Sequence, residues 1–133
     1  YKRQAFEIPN FMGQHLMQFD YKTFGTRFEF YKYTPEDNWW GNPLNGEYND
    51  PKVAEDILGA EVAVENPASI AETAASTFLG KRDGASVTFI DRRIDFVEPV
   101  GKARGLTAIY LKARDRSRVG TSETVANVAF RFA

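Results

Sequence analysis

Asn66-Pro67-Ala68-Ser69-Ile70-Ala71-Glu72-Thr73-Ala74-Ala75-Ser76-Thr77-Phe78-Leu79-Gly80 is the stretch on which the fold reading turns. Asparagine can cap a helix. Proline in the first turn has no N–H to leave unsatisfied, and its φ is already helical. Ile70, Ala71, Ala74, Ala75, Phe78 and Leu79 recur at helical spacing, and Gly80 is a natural stop. The spacing predicts a helix, and its alanines allow close approach to a sheet.

Three strand candidates follow it. Ser86–Glu98 places Val87 and Phe89 on one face and Ile90, Ile94 and Phe96 on the other. The apolar phase therefore slips near Asp91, as at a bulge or a sharp twist, and Pro99 ends the strand. Leu106–Arg114 puts Ile109 and Leu111 on one face. Glu123–Phe132 alternates Ala126, Val128, Phe130 and Phe132 against Asn127 and Arg131. The connections Gly101–Gly105 and Asp115–Gly120 have lengths that suit antiparallel neighbours.

Upstream the signals are mixed. Gln14–Tyr21 reads as a short strand or one helical turn, and Thr26–Tyr33 as a strand with Phe28 and Phe30 opposite Arg27 and Glu29. Thr34–Asn49 has loop composition, with Trp39 and Trp40 inside it. Asp50-Pro51 repeats the cap signal and predicts a short helix Pro51–Leu58 closed by Gly59. There is no internal repeat. The expectation is one domain over residues 1–133, with an irregular, aromatic-rich part at 1–60 and a helix plus three strands at 66–132.

Composition narrows the function classes. The 133 residues are 43% apolar and 26% charged, and 17 basic residues balance 18 acidic ones for a net charge of −1. That balance gives no footprint for duplex nucleic acid or an anionic membrane. No apolar run reaches the roughly 20 residues of a membrane span. The absence of cysteine excludes disulfides, thiolate metal sites and a cysteine nucleophile. His15 is the sole histidine and has no metal-ligand spacing. No cofactor motif is present. The expected setting is soluble, either cytoplasmic or organellar after removal of a targeting segment.

Ser69-Ile70-Ala71-Glu72-Thr73-Ala74-Ala75-Ser76, then Val87-Thr88, then Ile94-Asp95-Phe96-Val97-Glu98-Pro99-Val100 resembles the hotdog thioesterase superfamily. Within it the likeness is to the PaaI-like and 4-hydroxybenzoyl-CoA-type branch, and it covers roughly residues 66 to 132. The resemblance implies an α+β hotdog fold, one central helix wrapped by an antiparallel sheet. It implies hydrolysis of an acyl-CoA or acyl-carrier thioester at a site between the subunits of a homodimer. Glu72 would be the general base or nucleophile and Ser76 its polar partner one turn later. Asn66 would be a ligand contact, and Arg114, Arg116 and Arg118, with Lys112, would meet CoA phosphates. The stretch Ala63-Val64-Glu65-Asn66-Pro67 departs from the family's His-Gly or Gln-Gly pair, since it has no glycine and Pro67 has no N–H to donate.

The residues themselves allow this chemistry and its alternatives. Glu72 and Ser76 share a helix face, and a carboxylate desolvated there gains basicity. The same glutamate near a helix N-terminus is equally a solvated charge favoured by the dipole. Ser76 reads more readily as a small packing residue, and the arginines as an ordinary charged hairpin. Phe24, Phe28, Phe30, Tyr31, Tyr33, Trp39 and Trp40 with Arg27 and Lys32 could stack single-stranded bases, but suit a core or dimer surface better. Two further readings stand beside the hydrolase. One is a non-catalytic domain that binds an acyl group or serves as an assembly subunit. The other is a cone-shaped NTF2-like ligand-binding, lyase or isomerase domain.

Overall fold

The computed structural model describes residues 5–11, 14–19, 21–24, 26–32 and 52–133. The chain divides into two compact units, Tyr1–Asp50 and Pro51–Ala133. In the first, strands β1 (Ala5–Phe11), β2 (Gln14–Phe19) and β3 (Phe28–Lys32) form an antiparallel meander in that order. A single helical turn, α1 (Tyr21–Phe24), lies between β2 and β3. Of the two readings left open for Gln14–Tyr21, a strand holds over β2, and Tyr21 begins the helical turn; the strand read at Thr26–Tyr33 agrees with β3. The loop read at Thr34–Asn49, and Trp39 and Trp40 with it, lies outside the described residues.

The second unit runs β4 (Ala54–Ala63), α2 (Pro67–Phe78), β5 (Lys81–Asp83), β6 (Ser86–Phe89), β7 (Arg92–Val97), β8 (Gly105–Ala113), β9 (Ser122–Val125) and β10 (Val128–Phe132). Its seven strands form one mixed sheet in the order β5-β6-β7-β4-β8-β10-β9. β4 is parallel to β7 and antiparallel to β8, and β10 is parallel to β8. The parallel pairs follow from the connections. The chain leaves β4 through α2 and the β5-β6 hairpin before returning as β7, and it leaves β8 through a 3-10 turn and β9 before returning as β10.

The hotdog arrangement expected from the sequence is overturned. α2 is one short helix lying on β5, β6 and β7, and no sheet wraps it. Its buried stripe of Pro67, Ala71 and Ala74 faces inward, and Phe78 meets the Phe89 ring edge-on at 5.9 Å. Leu79 takes a left-handed conformation as the C-cap, and the Gly80 N–H donates to the Ala75 carbonyl. A Cβ at Gly80 would lie 2.6 Å from Val87 Cγ1, so helix and sheet meet there through a bare backbone.

Three local readings are also corrected. The helix expected at Pro51–Leu58 is not formed over its described part; residues from Ala54 are the central strand β4. The alternation Leu58, Ala60, Val62, Val64 carries the strand signal, and burial between two neighbours outweighs the Asp-Pro cap cue. The phase slip at Asp91 is a hairpin connection between β6 and β7. The last expected strand is likewise a hairpin, turning at Ala126 and Asn127, both at positive φ, the geometry that suits a two-residue turn.

Candidate functional site

Register assigns the side chains to two faces. Val87, Ile94, Ala60, Ile109 and Phe130 are successive partners across β6, β7, β4, β8 and β10. Val87 and Phe89 abut the end of α2, so this apolar row lies on the helix side. The alternate row, Thr88, Arg93, Gly59, Tyr110 and Arg131, lies on the other side, together with Ser86, Asp95 and Glu61.

That second face carries a connected polar network. Arg131 Nη1 donates to Glu61 Oε2 at 2.7 Å, and Thr107 Oγ1 donates to Glu61 Oε1 at 2.9 Å. Tyr110 OH donates to Asp95 Oδ2 at 2.9 Å, Arg93 Nε reaches Asp95 Oδ1 at 2.6 Å, and the Ser86 hydroxyl also donates to Asp95. The Arg131 guanidinium lies 5.7 Å over the Tyr110 ring. Burial pushes both carboxyls up, but the opposing hydrogen bonds and guanidinium charges outweigh it. Glu61, held by Arg131, Thr107 and Tyr110, sits below the usual carboxylate range. Asp95, held by Ser86, Arg93 and Tyr110, does the same. Burial, then the bond to Asp95, pushes the Tyr110 phenol up to about 12. Each acid has its cation and each acceptor its donor. Two firmly ionised carboxylates and a phenol this weak in acidity make poor proton-transfer groups near neutral pH. The network is a rigid floor that pins β6, β7, β4, β8 and β10 together.

Gly59 sits in the middle of this floor. A Cβ there would lie 2.1 Å from the Arg93 carbonyl oxygen, so the β4–β7 approach requires glycine.

The helix-side face is different. α2 covers the β5-β6-β7 half, and beyond it Ile57, Ala60, Phe89, Ile94, Leu106 and Ile109 line a groove of 460 Å³. Ile57 is 55% exposed and Leu106 40%. Arg92 stands at the rim, held by Asp56 at 2.9 and 3.1 Å and by Asp91 at 2.6 Å.

The residues singled out from sequence are dispersed. Glu72 is 73% exposed on α2 and pairs with Arg82 at 3.4 Å. Ser76 is exposed and donates to the Thr73 carbonyl one turn back. Asn66 is the left-handed N-cap, without a side-chain capping bond; its carbonyl accepts from Ser69 and Ile70. Arg114 and Arg116 line a cleft with Lys112, while Arg118 pairs with Glu123 and lies 5.8 Å over the Phe132 ring. The structure brings Arg114 and Arg116 together. It gives no contact joining Glu72 and Ser76 to them, or either group to the groove. Phe89, Ile94 and Ile109 fall on expected strands, but the groove they share with Ile57 and Ala60 is hidden because Ile57 lies in the stretch expected to be helical; the alternation of β4 is the available signal. Among the described residues no helix is long and apolar enough to cross a membrane, and no cluster of three or more potential metal ligands occurs.

No family model, curated protein or solved structure matches this chain.

Proposed function

We propose that the Pro51–Ala133 unit is a non-catalytic binding domain whose ligand is an acyl or comparable alkyl chain held in the helix-side groove. The supporting observation is the half-covered sheet face, with Ile57 and Leu106 left open to solvent beside buried strand residues. Uncovered aliphatic surface of this kind costs free energy unless something occupies it. A volume of 460 Å³ lies within the roughly 300–1,000 Å³ of small-molecule sites, which favours a chain-like ligand over a packed helix. Arg92 is already neutralised by Asp56 and Asp91, and Arg93, which also lines the groove, by Asp95, so the groove offers no unpaired cation for a free carboxylate. The ligand is accordingly a neutral ester, thioester, amide or alcohol. This reading requires neither Glu72 nor Ser76.

The test is displacement of an environment-sensitive fluorophore by a medium-chain alcohol, with Ile57→Asp and Leu106→Asp alongside. Both positions are solvent-exposed, so both variants should fold. Each is expected to weaken binding at least tenfold. Equal binding by both variants, or a stable complex with a protein partner in place of alkyl binding, would remove the proposal.

A further inference from the structure

Among the described residues, Leu79 and Ile90 are the two large aliphatic residues at positive φ, 56° and 53°. They are also the most exposed large hydrophobic side chains there, at 93% and 102%. Neither position calls for such a residue. Leu79 is the left-handed C-cap of α2, a place that favours glycine or asparagine. Ile90 opens the two-residue connection between β6 and β7, where a positive φ again favours glycine and strains a β-branched residue. The chain thus carries backbone strain at two turns and sends an aliphatic side chain into water from each, with no packing in return.

Both turns stand at one end of the sheet. Lys81 pairs with Thr88 and Phe89 with Arg92, so the ends of α2 and β6 and the start of β7 come together. β4 is parallel to β7, so its first residues lie at that end too, where Arg92 bonds Asp56. Ile57, Phe89 and Arg92 line the groove there, whereas Leu106 lies at its far end. Of the charges beside the two turns, Arg92 is held by Asp56 and Asp91 and Arg82 by Glu72, and Lys81 adds a single cation. No strong field of either sign results, so recognition at this end is apolar. A protein partner needs roughly 800 Å² of fitted surface on each side, which two side chains standing clear of separate turns do not offer. A fluid acyl layer accepts them without a complementary shape.

We propose that Leu79 and Ile90 insert into a lipid surface and that the groove takes its alkyl chain from that surface. The second half rests on the groove reading; the first does not. The full chain is floated with phosphatidylcholine vesicles. Burying one such side chain is worth about tenfold or more in affinity, so Leu79→Asn and Ile90→Asn should each weaken association about tenfold and the double variant should lose it. Asparagine tolerates the left-handed region, so both variants should melt at or above the wild-type temperature. Loss of association without loss of stability separates insertion from misfolding. The double variant should still bind a soluble medium-chain alcohol, and Leu106→Asp should still float. Flotation of the wild type without alcohol binding counts against the groove and leaves the insertion standing. No flotation of the wild type, equal flotation of the double variant, association that requires anionic lipid, or self-association without vesicles that the substitutions abolish overturns the insertion.

Discussion

The Tyr110 hydroxyl reaches across β4 to donate to Asp95 on β7 at 2.9 Å, although Tyr110's own register partner on β4 is Gly59. The bond joins strands that are not neighbours in the sheet, so it braces the β4–β7 parallel pair from above. Removing the hydroxyl in Tyr110→Phe should cost about 1–2 kcal/mol, since Asp95 keeps Ser86 and Arg93. Urea unfolding with an unchanged m-value is the measurement, and a loss near zero would show that the brace does not act.

Gly59→Ala should be costlier. The added carbon would meet the Arg93 carbonyl oxygen at 2.1 Å, and neither backbone can move without breaking the β4–β7 ladder. A loss of about 2–4 kcal/mol is expected, in the range of severe core strain. A thermal melt of the variant beside Gly84→Ala gives the comparison. Gly84 has open space around it and only a positive φ of 57° to strain, so its loss should be the smaller of the two.

The same floor predicts how stability depends on pH. Glu61 and Asp95 have lowered folded pKa values. Their contribution is complete above the ordinary carboxylate range and is lost as pH falls through that range and below it. Tyr110 is raised from 10.0 to about 12. Its contribution is complete below the ordinary phenol value and fades as pH climbs from there. Unfolding midpoints across pH should therefore form a plateau with both ends falling. Asp95→Asn should flatten the acid limb and Tyr110→Phe the alkaline limb; unchanged limbs in both variants would contradict the assignment.

Glu72 is expected to matter little to stability or to alkyl-chain binding. Its partner Arg82 is 40% exposed and Glu72 itself 73%, and exposed pairs contribute about 0–1 kcal/mol. Glu72→Ala should unfold within about 0.5 kcal/mol of wild type and bind an alkyl alcohol equally well. An acyl-CoA hydrolysis assay on the same variant tests its proposed chemistry separately: turnover that disappears with Glu72 would restore the hydrolase reading.

Much of the second unit was legible in local signals. The Asn66-Pro67 start and Gly80 stop delimit α2 to within a residue or two, because capping and helical periodicity are short-range. β8 was visible through Ile109 and Leu111 for the same reason. β4 was not, since Asp50-Pro51 and Gly59 imitate helix punctuation, and only pairing with β7 and β8 gives Gly59 its real meaning. The hairpin at Ile90-Asp91 was hidden because Ile90 takes a positive φ of 53°, a conformation usually left to glycine or asparagine. The expected wrapping of α2 failed on topology: the parallel pairs β4–β7 and β8–β10 are set by long-range pairing that no window of sequence displays. The polar floor was out of reach as well, since Glu61, Asp95, Tyr110 and Arg131 meet only through that register.

The most direct test is methyl NMR of the isoleucines during titration with a medium-chain alcohol. Ile57, Ile94 and Ile109 line the groove, whereas Ile70 lies on α2 and Ile90 on a turn fully open to solvent. The account predicts saturable shifts at Ile57, Ile94 and Ile109, with Ile70 and Ile90 unmoved. Shifts centred on Ile70 or Ile90, or no saturable shift at any of the five, would contradict it.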